Sequence, residues 1–199
     1  MQGQTFVFFG IVGSGKGTQV KLLQKYLKTK DAQEQVYVGT GEIFRKIIES
    51  GEDNFDTRAV KGILNSGRLI PDNETNKLVS KALESELLPD KHVFFDGYPR
   101  TLAQAQFFED KMNFYERKNI KVIYIELSRE EATKRNLLRG RHDDTREGLE
   151  KRFDEYMNNV VPAMNYFKDK GNYEISKING EQSIERVHQD IISKLGYSF

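Results

Sequence analysis

The chain contains no cysteine. Disulfides, cysteine-ligated zinc and thiol nucleophiles are thereby excluded, and the redox compartment is left open. It also lacks an excess of either charge: 31 Lys and Arg stand against 30 Asp and Glu, a formal net charge of +1. No global field therefore draws it to nucleic acid, and any attraction for phosphate has to be local. No apolar run approaches the roughly 20 residues of a bilayer-crossing helix. The first residues, Met1 to Thr5, lack the basic and apolar regions of a secretory signal. The expectation is a soluble, cytoplasmic protein with neither a membrane nor a nucleic-acid partner. Internal repeats and low-complexity tracts are missing too, and 199 residues suit one compact domain.

What is present is alternation. Short runs rich in Val, Ile, Phe and Tyr recur at residues 5–9, 36–38, 92–95, 122–127 and 173–178. The first, third and fourth are apolar on consecutive residues, as strands of a parallel sheet are when helices cover both faces. Between the runs lie helix-period segments. Phe153, Tyr156, Met157, Val160, Met164 and Phe167 stack on one side of a long helix that Pro162 would kink. Ile184, Val187, Ile191, Ile192 and Leu195 repeat the pattern in the last helix. The predicted fold class is α/β: a doubly wound, five-stranded parallel sheet, with ligands beyond the carboxyl ends of the strands. Residues 40–67 and 140–151 fit the alternation poorly and are candidate moving pieces. The aromatics Phe6, Phe8, Phe9, Phe94 and Phe95 lie within the strands and are assigned to the core.

Directly after the first strand stands Gly10-Ile11-Val12-Gly13-Ser14-Gly15-Lys16-Gly17-Thr18, followed by a helix with Val20, Leu23 and Leu27 on one stripe. Glycines let backbone N–H groups turn inward, the helix start adds partial positive charge, and Lys16 can reach a bound anion. A bland glycine turn has no use for Lys at this spacing. The general pattern asks for Ser or Thr directly after the Lys, yet here Gly17 follows and the hydroxyl comes only at Thr18.

The ending Gly15-Lys16-Gly17-Thr18-Gln19 resembles the adenylate kinase branch of the nucleoside monophosphate kinases. The likeness continues through Thr40-Gly41-Glu42 with Arg45, through Gly67-Arg68-Leu69-Ile70, and through Asp96-Gly97-Tyr98-Pro99-Arg100-Thr101 with Gln104. Arg135, Arg139, Arg141-His142-Asp143-Asp144, Lys151-Arg152 and Asn179-Gly180 follow in the family's order. The resemblance implies a P-loop core (residues 1–39, 68–139 and 152–199), a flap over the acceptor nucleotide (40–67) and a short lid over ATP (140–151). It further implies a monomer that transfers the terminal phosphate of ATP to AMP, giving two ADP.

By that resemblance Lys16, Arg100, Arg139, Arg141 and Arg152 are the catalytic cations. Gly13, Ser14, Gly15, Lys16, Gly17, Thr18, Arg135, Arg139 and Gly180 bind ATP. AMP falls to Thr40, Arg45, Arg68, Leu69, Ile70, Gly97, Tyr98, Pro99, Arg100, Gln104, Arg141 and Arg152. Asp96 is placed to hold the water ligands of Mg²⁺. Plainer roles stand beside these: Asp96 as a turn-former, Thr40 as a helix cap, Gln104 as an exposed helix residue, and Arg135 and Arg139 as partners of Glu130 and Glu131. His92, His142 and His188 share no metal-ligand spacing, and His142 alone carries any functional weight.

Three positions depart from the family: Val12 where proline is common, Gly39 where serine is common, and Glu42 where aspartate is frequent. None removes a charged participant. Two other functions are weighed: a UMP/CMP kinase, whose pattern usually has Asn after the Pro-Arg pair and Ala at the place of Thr40, and a catalytically weak ATP/AMP-binding regulatory protein, which could lose Lys16 and the arginines.

Overall fold

The computed structural model describes residues 3–50, 55–140 and 144–198. Five parallel strands, β1 (Thr5–Phe9), β2 (Gln35–Gly39), β3 (His92–Asp96), β4 (Ile120–Glu126) and β5 (Tyr173–Asn179), form one sheet in the order β2-β3-β1-β4-β5. The order reverses beside β1, so the crevice at its carboxyl end is the expected ligand site of such a sheet. All five apolar runs are strands. The continuous apolar pattern belongs to β1, β3 and β4, at the centre, whereas β2 and β5 at the edges alternate buried and more exposed residues.

Successive strand residues go to opposite faces. Phe6, Phe8, Phe94, Ile123 and Ile125 pack under Val20, Leu23 and Leu27 of α1 (Lys16–Lys28) and Val187, Ile191 and Ile192 of α9 (Ile184–Lys194). Val7, Phe9, Val93, Phe95 and Val122 meet Val79 and Leu83 of α4 (Asp72–Glu86), Phe108 of α5 (Leu102–Phe114), and Met164 and Phe167. At about 25 cal/mol per Å² of apolar surface, each fully buried aromatic or aliphatic side chain contributes roughly 1.5–3 kcal/mol. The first strand's aromatics are therefore structural. Ile184 is not part of this core: it is 54% exposed at the first turn of α9, where Gln19 Nε2 donates to its carbonyl at 2.9 Å.

The long helix expected around Pro162 is interrupted. α7 (Arg146–Glu155) passes into a π-helical turn, Tyr156–Val160, and then into α8 (Val161–Asn165). Proline has no N–H to donate and its ring crowds the carbonyl four residues earlier, a conflict that a wider turn absorbs. Val161 N–H accordingly donates to Tyr156 O, five residues back. The extra residue rotates the stripe, so Phe153, Tyr156, Met164 and Phe167 are buried while Met157 is 49% exposed.

Within residues 40–67 lie α2 (Thr40–Glu49) and α3 (Phe55–Asn65); α6 (Arg129–Arg139) precedes the 140–151 segment. One cation unremarked in the sequence is Arg117, buried at the amino ends of the strands. It donates to Thr5 Oγ1 and to the Pro89, Gln4 and Lys91 carbonyls, and burial pulls its pKa down to about 10. It staples the end of the sheet opposite the glycine loop.

Candidate active site

The glycine loop leaves β1 and enters α1 at Gly15, with no side chain capping the helix start and no acid in its first turn. Those free N–H groups and the helix dipole are available to an anion. Gly13 is required sterically: its φ is +86°, and a Cβ there would lie 2.4 Å from Asn136 Nδ2. The half-buried Lys16 folds back on its own loop, Nζ donating to Gly10 O at 2.6 Å and Ile11 O at 3.0 Å. Burial lowers its pKa to about 8, against the upward pull of Asp96, while Arg100 and Arg139 lower it further. A poorly solvated cation of this kind is poised to take phosphate oxygens in place of carbonyls.

Val12 O, the atom a proline would keep, accepts from Asn136 Nδ2 at 3.1 Å. A carbonyl tether already restrains the loop where the family commonly uses a ring. Val12→Pro is therefore expected to change ATP affinity only about two- to threefold by calorimetry, and a change beyond about tenfold would contradict this account.

Across the carboxyl end of the sheet, Gly97 links β3 to the Arg100 loop. Its φ is +73°, and a Cβ would meet Arg100 Nη2 at 2.6 Å. The Gly97 carbonyl accepts from Thr40 Oγ1 at 2.7 Å and from Arg100 Nε at 2.6 Å. Thr40 is thus buried and tied to this loop. Arg100 and Arg45 converge on Gly41, where an added Cβ would lie 3.8 Å from Arg100 Nη2 and 3.3 Å from Arg45 Nη1. Burial, first, and the neighbouring Arg45 hold the Arg100 pKa below its ordinary value, while Asp96 pulls it upward. Two guanidinium groups this close want a shared anion.

Lys16, Arg45, Arg100, Arg152, Arg68 and Leu69 line one cavity of about 680 Å³, together with Gly97, Pro99 and residues of α2 and the π turn. Phe8 and Phe9 form part of its floor. Arg68 Nε donates to Ser66 Oγ at 3.0 Å, and Ile70 is buried. Tyr98 is buried, its hydroxyl donating to Asn76 Oδ1 at 2.7 Å.

Gln104 is not an exposed helix residue. It is buried, accepts from Arg100 N at 2.8 Å through Oε1 and donates to Asp72 Oδ1 at 2.8 Å through Nε2. Its amide braces the Arg100 loop. Gly180 lies at the end of β5, where its N–H donates to Glu126 O at 2.7 Å and a Cβ would stand 2.6 Å from that oxygen. Ser14 is buried behind the loop, whereas Thr18 is exposed. A Cβ on Gly17 would lie 3.3 Å from Asp96 Oδ2, which gives a reason for glycine where the general pattern has a hydroxyl residue.

The remaining arginines divide. Arg135 takes the plainer role, donating from Nε to Glu131 Oε1 at 2.8 Å, and does not line the cavity. Arg139 instead grips Asp144 at 3.0 and 2.8 Å, and Arg152 Nη2 reaches Asp144 Oδ1 at 3.0 Å. The Asp144 side chain is fully buried between them. Arg141, His142 and Asp143 lie outside the described residues.

Sequence reasoning gave no role to Asn136, Asp144 or Tyr37. Asn136 joins Val12 O to Arg139, whose Nη2 donates to its Oδ1 at 2.6 Å. The acidic pair bracketed by arginines was the one visible signal for Asp144; the other two show none locally.

A family profile described as adenylate kinase matches residues 8–172. An adenylate kinase of Prochlorococcus marinus is 34% identical over 190 residues, covering 95% of this chain and 97% of that protein. Another from Oenococcus oeni is 32% identical over 182 residues, 91% of this chain and 93% of that protein. Adenylate kinase 1 of a Nostoc species is 30% identical over 190 residues, 96% and 97% respectively. With a phosphate-type glycine loop at the switch point of a parallel sheet, a cation-lined cavity beside it and this length of shared sequence, the chain belongs to the adenylate kinase family.

Proposed function

We infer that the chain catalyses the reversible transfer of the terminal phosphate of ATP to AMP, yielding two ADP by direct in-line displacement. An oxygen of the AMP phosphate attacks the terminal phosphorus of ATP, the bond to the bridging oxygen breaks, and the electron pair leaves with ADP. No phosphoenzyme is required. The observation that carries this reading is the convergence of Lys16, Arg45, Arg100 and Arg152 on one cavity. Phosphoryl transfer between two nucleotides gathers negative charge, so positioned cations do most of the catalysis.

In this reading the glycine loop and Lys16 hold the ATP phosphates, Arg45 and Arg100 the AMP phosphate, and Arg139, Arg141 and Arg152 the group in transit. Residues 40–67 act as the acceptor flap and 140–151 as the lid, and their closure excludes water so that ATP is not hydrolysed. Arg68 to Ile70, Gly97, Tyr98 and Pro99 shape the acceptor side. Gln104 reads the adenine edge only when Asp72 releases its amide; until then it positions Arg100. Arg135 and Gly180 flank the ATP side.

Mg²⁺ fits the residues present. Among the described residues no cluster of three or more His, Cys, Asp or Glu forms a cage, and Asp96 offers one carboxylate at the end of β3, near Lys16 and Arg100. That suits a cation completing its shell with water and phosphate oxygens. Bound through water to Asp96, it would neutralise phosphate charge. Among the described residues no helix is long and apolar enough to cross a membrane. In this reading the chain is a cytoplasmic monomer acting on free nucleotides.

A coupled assay offering AMP, CMP, UMP, GMP and dAMP tests the assignment. AMP is expected to exceed CMP and UMP at least about tenfold in kcat/KM, the scale on which a pocket separates bases of different hydrogen-bonding edge. Equal or better turnover of CMP or UMP would make the chain a pyrimidine nucleotide kinase. Binding without turnover of any acceptor would make it a regulatory nucleotide sensor.

A further inference from the structure

Asp96 does not stand alone at the end of β3. In the register of the sheet, Tyr37 lies opposite Phe94 and Gly39 opposite Asp96. Tyr37 and Gly39 therefore share the face of β2 that looks toward α1. The Tyr37 ring runs along the strand over Gly39 and its hydroxyl donates to Asp96 Oδ2 at 3.3 Å. Among the described residues this is the one hydrogen bond on that carboxylate.

The neighbouring glycine makes the arrangement possible. A Cβ on Gly39 would fall 2.3 Å from the Tyr37 hydroxyl and 2.5 Å from the ring carbon that bears it. Gly39 has φ −104° and ψ 93°, which any residue can adopt. Space, not backbone freedom, is what this position needs.

We propose that Tyr37, seated over Gly39, is a positioning residue that orients the Asp96 carboxylate for the water shell of the nucleotide-bound Mg²⁺. The proposal rests on the reading of Asp96 given above. A hydrogen bond to one carboxylate oxygen fixes the plane of the group. Outer-shell partners of this kind tune metal affinity without touching the metal. Position 39, where the family commonly has serine, and Tyr37 are on this account one paired feature of the chain.

Calorimetric titration of ADP into wild type and Tyr37→Phe, once in EDTA and once in excess Mg²⁺, tests this, with Mn²⁺ paramagnetic resonance reporting metal bound in the ternary complex. Metal-free ADP should bind both proteins within about twofold. The gain in ADP affinity on adding Mg²⁺, and the bound Mn²⁺, should fall about three- to tenfold in the variant, the worth of one ordinary hydrogen bond, as suits a contact as long as 3.3 Å. Gly39→Ala, which crowds the ring off Asp96, should shift the metal response in the same direction. Equal loss of affinity with and without metal would reduce Tyr37 to packing and overturn the proposal, as would an unchanged metal response. Asp96→Asn separates the two readings. If it alters the metal response and Tyr37→Phe does not, the Tyr37 proposal alone fails; if neither alters it, the Asp96 assignment fails with it.

Discussion

Replacing Lys16 with Met is expected to lower turnover at least about a thousandfold, some 4 kcal/mol of transition-state stabilisation, while raising the melting temperature at pH 7 by about 2–12 °C. Both effects come from one misplaced charge. Among the described residues Lys16 has no ion pair; its ammonium is held by the Gly10 and Ile11 carbonyls and, at 3.4 Å, by Ser14 Oγ. Without phosphate, that is a poor exchange for water.

The sign of the pH dependence follows from the shift. Burial takes the Lys16 pKa from an ordinary 10.5 to about 8. Between those values the unfolded chain binds a proton that the folded chain has released, so stability rises with pH across the window. Below it both states are protonated and the whole cost of burying the charge is present, on the order of 1–3 kcal/mol. The advantage of the Met variant is thus full at pH 7 and shrinks as pH climbs through 8 toward 10.5. Calorimetric melts at pH 7 and 10, with coupled kinetics, measure both sides. A variant that melts below wild type at pH 7, or that turns over near normally, would contradict the role given to Lys16.

Arg100→Lys should reduce kcat/KM for AMP by about a hundred- to ten-thousandfold although the charge is kept. Arg100 Nε is anchored on the Gly97 carbonyl at 2.6 Å, which leaves the Nη atoms facing the place where Arg45 also converges. A lysine has one donor head and cannot anchor and grip at once. Folding should suffer little, because Thr40 Oγ1 still satisfies Gly97 O at 2.7 Å. Steady-state kinetics over AMP concentration, with a thermal melt as control, decide it: retention of more than about a tenth of the activity would remove Arg100 from the transferring phosphate.

Much of this is legible in the sequence. The glycine loop is contiguous, and its chemistry depends on backbone amides and one lysine within nine residues, Gly10 to Thr18. The central strands were legible because burial on both faces writes itself as unbroken apolar runs, as in Phe6 to Phe9 and Val93 to Phe95. The edge strands and the π turn were harder to read. An edge strand borrows its partner from far along the chain, and one residue added to a helical turn shifts the stripe without changing its composition.

Side-chain commitments were hidden for the same reason. Gln104 and Asp72 stand 32 residues apart, Tyr37 and Asp96 59, and Asn136 and Val12 124. No local spacing encodes those meetings. Type, order and period of residues set the fold class, the family and the roster of cations, because each of these depends on short-range pattern. That Arg135 is spent on Glu131 was already written in their four-residue spacing, whereas that Arg45, Arg100 and Arg152 face one cavity was settled by how the crossover connections of a parallel sheet bring remote segments to one end.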